Sequence, residues 1–463
     1  MGGATILTGT RSGRGTPKPN AVEARGLARA RADSGDLPAE ARGASPPQRP
    51  FDPRLLRDSS IKARLTDMAL RKPFAVMAFF RRWMPLPYSA KAGWGAVLRY
   101  DDVAEALQND GGVAVPFGDK IKALNDGPNF LLGMQDGPEY QWLHKATVGV
   151  FPRADNTEIV TPIAAEEAEA LVAGGRGKLD VIENLITLVP TRICKRYYGV
   201  DVPDEFAFGQ WTIAMSTFMF GDPTDDPTIR EMALAAGDRV RPLVDTAIAK
   251  AHRQIAEGNA PDTIAVRLAL MQKTGEARMT DEVIRAVLIG MITGFVPTNT
   301  MAAGHMIELL LDKPEWMAEA QAAARADDDD RLKRILFETM RFFPLNPGPF
   351  RICARDVTIA RGTKRERTFP KGTKLLVSTQ SAMFDPRRVD RPKEWNPDRP
   401  DTDYMLMGFG LHWCIGAPLS YAQVTQTLKP LLKRENLRRA PGDAGKLQKF
   451  GPFPSDLEVL YDG

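Results

Sequence analysis

Apolar positions along this chain recur mostly at spacings of three and four. Between residues 164 and 272 that rhythm predicts successive helices, broken at Gly221-Asp222-Pro223 and Gly258-Asn259-Ala260-Pro261. A longer stretch, 281–311, is apolar nearly all round in its first half, which predicts a buried helix. Thr280-Asp281-Glu282 caps it and Asp312-Lys313-Pro314 stops it. Pro297 lies inside it, and a proline there removes the hydrogen bond to the Thr293 carbonyl, predicting a kink that costs ~3 kcal/mol unless that carbonyl finds another partner. A third helical run, 419–432, follows a glycine-rich segment, and Pro138-Glu139 marks the start of another helix. Strands are expected at Ala96-Val97-Leu98-Arg99-Tyr100, at 350–359 and at Lys374-Leu375-Leu376-Val377, with a turn at Pro370-Lys371-Gly372-Thr373. A helix capped by Asp101 or Asp102 should run to 107, and 109–130 reads as an irregular loop.

Residues 1–50 carry Gly, Ala, Arg and Pro without apolar periodicity, so they are expected to be a flexible tail. The remainder has ordinary globular chemistry: 43% hydrophobic and 26% charged residues over the whole chain, enough for a sizeable core. A net charge of +4 with dispersed basic residues does not suggest a nucleic-acid partner. The run 283–296 contains Arg285 and is too short for a membrane span, which needs roughly 20 apolar residues. No secretory leader is recognisable, and Cys194, Cys353 and Cys414 are too scattered for a disulfide framework, so a cytoplasmic location is expected. Segment 71–85 mixes bases and aromatics; packing near a pocket entrance is preferred to membrane contact because prolines interrupt it. Phe206, Phe208, Trp211, Met215, Phe218, Met219 and Phe220 form a dense apolar cluster, more naturally core than site.

The candidate chemistry concentrates in residues 407–418. Gly408, Gly410 and Gly416 surround Cys414 just before the 419–432 helix, and Pro418 suits a first helical turn. Unpaired amides and the positive dipole end there favour a thiolate, hence a nucleophile or a metal ligand. Zinc would want further cysteines at short spacing; an axial thiolate on haem iron needs one.

Gly410, His412, Cys414 and Gly416 resemble the F-x-x-G-x-H-x-C-x-G signature of the cytochrome P-450 superfamily, with Met407 where the aromatic stands. Glu338-Thr339-Met340-Arg341 resembles its E-x-x-R, and Trp395-Asn396-Pro397-Asp398-Arg399 the segment whose arginine joins that pair. The resemblance implies a mainly α fold with a small β-rich side, formed as one domain by residues 51–463. It implies haem b (iron protoporphyrin IX) with Cys414 as its ligand, and Arg351 and His412 as propionate partners. Glu338, Arg341 and Arg399 would lock the loop that presents the cysteine. Tyr140 and His144 occupy the places of a His and Arg that also meet a propionate.

The implied reaction is monooxygenation of an apolar small molecule or fatty-acid-like substrate, with a ferredoxin or flavodoxin-type electron donor docking near Lys145, Arg153, Lys433 and Arg434. The helix motif [AG]-G-x-[DE]-T-T falls on Gly294-Phe295-Val296-Pro297-Thr298-Asn299, which retains the alcohol as Thr298 and replaces the acid by Pro297. Asn299 gives weight to an alternative, a hydroperoxide-using isomerase, dehydratase or peroxygenase of the same fold. A non-catalytic haem-binding protein is a further alternative.

Overall fold

The structure, a computed structural model, describes residues 73–223, 225–450 and 453–462; the expected tail at 1–50 lies outside them. The helix Asp281–Asp312 is the axis of the fold. It packs against the helices Glu205–Ser216, Pro227–Glu257, Asp329–Phe342 and Ala417–Lys433. Most of its side chains are buried, as an all-round apolar sequence requires. It is the one described helix apolar and long enough to cross a membrane, and 89% of that window is buried inside the fold.

The expected N-cap is present, with the Thr280 hydroxyl accepting from the Val283 N–H at 3.4 Å. The helix stays continuous through Pro297. Hydroxyls of Thr293, Thr298 and Thr300 donate to the carbonyls of Ile289, Gly294 and Val296, four residues back in each case, on both sides of the proline.

The sheet side holds a five-stranded sheet in the order Tyr88–Ser89, Trp94–Val97, Lys374–Val377, Phe350–Cys353, Val113–Ala114. Only the pairing of Trp94–Val97 with Lys374–Val377 is parallel. Alternation along Phe350–Cys353 turns Arg351 and Cys353 to the buried face, with Arg351 opposite Leu375.

Three local expectations are corrected. The strand near residue 96 is Trp94–Val97, and the next helix starts at Tyr100 without a cap from Asp101 or Asp102. The Tyr100 N–H instead donates to the distant Asp385 carboxylate at 3.2 Å, while buried Asp102 pairs with Arg365 at 2.9 Å. Region 109–130 contains the strand Val113–Ala114 and the helix Gly118–Asn125. That helix is fixed from outside, because Lys120 donates to the carbonyls of Phe218 and Asp222. In the apolar cluster Phe208, Met215 and Phe218 are fully buried, consistent with a core role, whereas Phe206 is exposed.

Candidate active site

The segment carrying Cys414 is held from both sides. Its N–H donates to the Met407 carbonyl at 2.8 Å, and its own carbonyl accepts from Ala417 at 3.1 Å, where the helix Ala417–Lys433 begins. Gly410 has φ +72°, and a Cβ there would stand 2.5 Å from the Leu107 carbonyl, so only glycine fits this close approach. N–H groups of Gly416 and Ala417 hydrogen-bond the Cys414 sulfur, yet burial outweighs them and raises the thiol pKa. The expected thiolate preference is therefore not met by helix-end amides alone. A metal cation bound at the sulfur would hold it deprotonated.

A hub of buried charge fixes the approach to that segment. Glu338 and Arg341, both fully buried, pair bidentately at 2.7 and 2.8 Å, three residues apart on one helix face. The Glu338 carboxylate also accepts from the Asn396 N–H at 2.9 Å, the Tyr404 hydroxyl at 2.9 Å and Arg399 Nε at 3.3 Å. Remaining guanidinium donors reach carbonyls: Arg341 those of Pro392 and Glu394, Arg399 those of Asp390, Arg391 and Glu394. Residues 390–404 are thus tied to the helix Asp329–Phe342 immediately before the cysteine segment. The sequence reading named Glu338, Arg341 and Arg399 but missed Tyr404, which no local pattern marks.

Arg351 and His412 behave in the opposite way. Arg351 is 7% exposed, its one hydrogen bond runs to the Phe350 carbonyl at 2.9 Å, and among the described residues no carboxylate pairs with it. Burial pulls its pKa down to about 10, with only weak relief from Asp110. His412 Nε2 is buried without a partner, and burial, reinforced by Arg351, lowers its pKa to about 4. A buried cation with no carboxylate, beside a buried ring nitrogen with no partner, describes a place for an anion, since a buried cation is stable only when paired. The carboxylates of a haem would satisfy both, with Cys414 as the sulfur ligand, so the residues present fit that group.

The Tyr140 hydroxyl donates to the Leu411 carbonyl at 3.0 Å, and its ring meets His412 edge-on at 5.4 Å. His144 stacks on Tyr140 at 5.6 Å. This pair braces the cysteine segment directly, and the phenol proton is already committed.

On the central helix, Gly294 and Thr298 stand out as partly exposed among buried neighbours, one turn apart on the same face. A Cβ on Gly294 would meet nothing within 4 Å, so that face borders open space. Asn299 is buried, and its side-chain N–H2 has no partner. Pro297, in the place of an acid, is buried too.

The family model described as cytochrome P-450 matches residues 213–452. Cyclomarin C epoxidase from Salinispora arenicola is 26% identical over 59% of this chain and 65% of its own length. Erythromycin C-12 hydroxylase from Saccharopolyspora erythraea is 24% identical over 76% of this chain and 85% of its own. A solved structure of a P-450 EryK mutant in complex with erythromycin B superposes with a TM-score of 0.69 at 22% identity, covering 86% of this chain and 97% of that one.

Proposed function

The chain belongs to the cytochrome P-450 family and is a monooxygenase of the haem-thiolate kind, and from that premise we propose how its own residues carry the work. Cys414 would ligate the iron of haem b, Arg351 and His412 would hold its carboxylates, and the Gly416 N–H would support the sulfur. The observation that carries this reading is the unpaired buried cation of Arg351 beside the partnerless Nε2 of His412. When bound, the haem supplies the iron at which dioxygen is activated for transfer of one oxygen atom to the substrate and reduction of the other to water.

Tyr140 and His144 support the cysteine segment through the Leu411 carbonyl and the His412 ring. Thr298 presents its hydroxyl oxygen to the open face of the central helix while its proton is donated to the Gly294 carbonyl. That oxygen can accept one proton as the other is passed on, the relay a buried Pro297 cannot perform. Water must complete the path, because the acid of the family motif is missing.

We assign an apolar small molecule as substrate, in keeping with the natural-product enzymes among its relatives. A ferredoxin or flavodoxin-type donor would dock around exposed Trp413 and Val148, with Lys145 and Arg153 as its charged contacts. Lys433 and Arg434 are unsuited, being paired with Asp327 and Glu169. Residues 51–463 are read as one domain, and the location as cytoplasmic, with the described cysteines all free.

The decisive experiment is the spectrum of the reduced carbon monoxide complex. The thiolate-type band is expected for the purified protein and its loss in Cys414→Ala; an unchanged band in that variant would overturn the assignment. Pro297 and the partnerless Asn299 amide favour one second reading, rearrangement of a hydroperoxide without reductant. Fast product formation from a fatty-acid hydroperoxide, with no reductant-driven oxygen consumption coupled to product, would select it.

A further inference from the structure

The helix Pro73–Trp83 is built inside out. Its buried charge, Arg81, points into the protein, where the guanidinium donates to the carbonyl and the hydroxyl of Ser381 at 2.9 and 3.0 Å. Met77, one turn earlier on that face, accepts from the Ser378 hydroxyl at 3.7 Å. The outer face is apolar and turned to water. Val76, Phe79 and Trp83 follow one another at steps of three and four residues, which places them on one stripe, and exposed Met84 comes next. Phe79 and Trp83 are 59% and 66% exposed, and these four residues are half of the large apolar side chains left exposed among the described residues.

The expectation that prolines interrupt this segment is corrected. Pro73 is the first residue of the helix, where a missing N–H costs nothing, and Pro85 lies beyond its end. The exit is fixed to the five-stranded sheet: the Leu98 N–H donates to the Pro85 carbonyl at 3.1 Å and the Ala96 N–H to the Pro87 carbonyl at 3.0 Å. The outward stripe is therefore held on a rigid support.

Its surroundings carry one sign of charge. Between residues 73 and 100 there is no Asp or Glu, against Arg81, Arg82, Lys91 and Arg99. Trp83 and Met84 form one wall of a groove of about 520 Å³, and Lys364, Arg365, Glu366 and Arg367 of the hairpin 357–369 form another. Arg365 is engaged with Asp102 at 2.9 Å, and the Glu366 carboxylate accepts from the Gly362 N–H. Exposed Arg82 lies over the Trp83 ring at 5.2 Å. Among the described residues no carboxylate pairs with Arg82, Lys364 or Arg367.

We propose that this face docks on an anionic lipid bilayer. The helix Pro73–Trp83 lies in the plane of the membrane, Val76, Phe79 and Trp83 enter the headgroup boundary, and Arg82, Lys364 and Arg367 meet lipid phosphates. The helix has 11 residues and is ~16 Å long, too short to cross hydrocarbon ~30 Å thick but long enough to rest on its surface. An apolar stripe beside unanswered cations is what such a surface selects, because the rings leave water while the cations stay at the level of the headgroups. A second copy of the same face would set Arg82, Lys364 and Arg367 against their own kind. The inference is independent of the haem assignment.

The test sediments the full chain, as purified, with vesicles of phosphatidylcholine alone or mixed equally with phosphatidylglycerol. Binding to the mixed vesicles is expected to be at least about fivefold tighter than to the neutral ones, and to weaken as salt is raised. Phe79→Ser combined with Trp83→Ser should weaken it about tenfold or more, since two rings no longer leave water. Lys364→Glu combined with Arg367→Glu should remove the preference for anionic vesicles. All four residues are at the surface, so an unchanged melting temperature is expected and shows each variant to be folded; if one pair fails to fold, the other decides. A chain that stays in solution with both kinds of vesicle, equal binding to both, or binding that survives Phe79→Ser and Trp83→Ser would overturn the proposal. A dimer in light scattering that those two substitutions abolish, without vesicle binding, would overturn it in favour of a second copy.

Discussion

Two buried arginine centres serve the cysteine segment and differ in one respect, whether their charge is answered. Around Glu338, every strong donor of Arg341 and Arg399 reaches an oxygen of the protein itself. Around Arg351 and His412, one cation and one ring nitrogen find no acid. Both centres take guanidinium charge out of water; the first answers that charge internally, and the second leaves it for a ligand to answer. Completeness of hydrogen bonding separates an internal truss from a binding site more sharply than burial or residue type does.

The largest expected effect comes from breaking the truss. Glu338→Ala strands Arg341 and Arg399 and should cost about 3–5 kcal/mol, seen as little or no soluble holoprotein; normal yield and melting temperature would show that the hub is dispensable. Arg351→Leu should act oppositely on the two forms of the protein. The haem-free chain, relieved of an unpaired buried charge, should melt at a higher temperature, while haem should leave about tenfold or more faster for want of a charge-assisted bond. A lower melting point of the haem-free variant would mean that Arg351 has an internal partner after all.

A smaller change sharpens the same contrast. Tyr404→Phe removes one donor to a carboxylate that keeps its other partners, so about 1.5–3 kcal/mol should be lost with the haem spectrum intact; equilibrium urea unfolding measures it.

The smallest effect concerns His305, whose buried ring stacks on Phe343 at 3.7 Å and accepts from Lys449 at 3.2 Å. Its pKa is about 3 when folded and 6.5 ordinarily, so below the ordinary value the unfolded chain binds a proton that the folded chain refuses. Stability contributed by the neutral ring is therefore present above pH 6.5 and is lost as pH falls toward 3. His305→Phe, which keeps the stack on Phe343, should flatten the decline in urea midpoint between about pH 7 and pH 5. An unchanged slope would place the acid sensitivity elsewhere.

The helical framework was legible because its signals are local and repeated. Thr280 and Pro314 bound the long helix where capping and stop chemistry put them, and Pro138 opens its helix. The helix Gly118–Asn125 was not legible, since its buried Lys120 depends on oxygens about a hundred residues away. Nor was the start at Tyr100, whose N–H is satisfied by Asp385.

The site divides along the same line. Cys414 and its glycines stand out in the sequence because a tight turn before a helix is written in consecutive residues. Glu338 and Arg341 are readable as a pair because three-residue spacing puts them on one helix face. That Tyr404 completes their hub, that Arg351 lacks an acid, and that Lys449 rests on His305 are decided only by tertiary structure. Each depends on which groups are absent or present within a few ångströms once distant segments meet, and a sequence records donors and acceptors without recording which of them will be left unanswered.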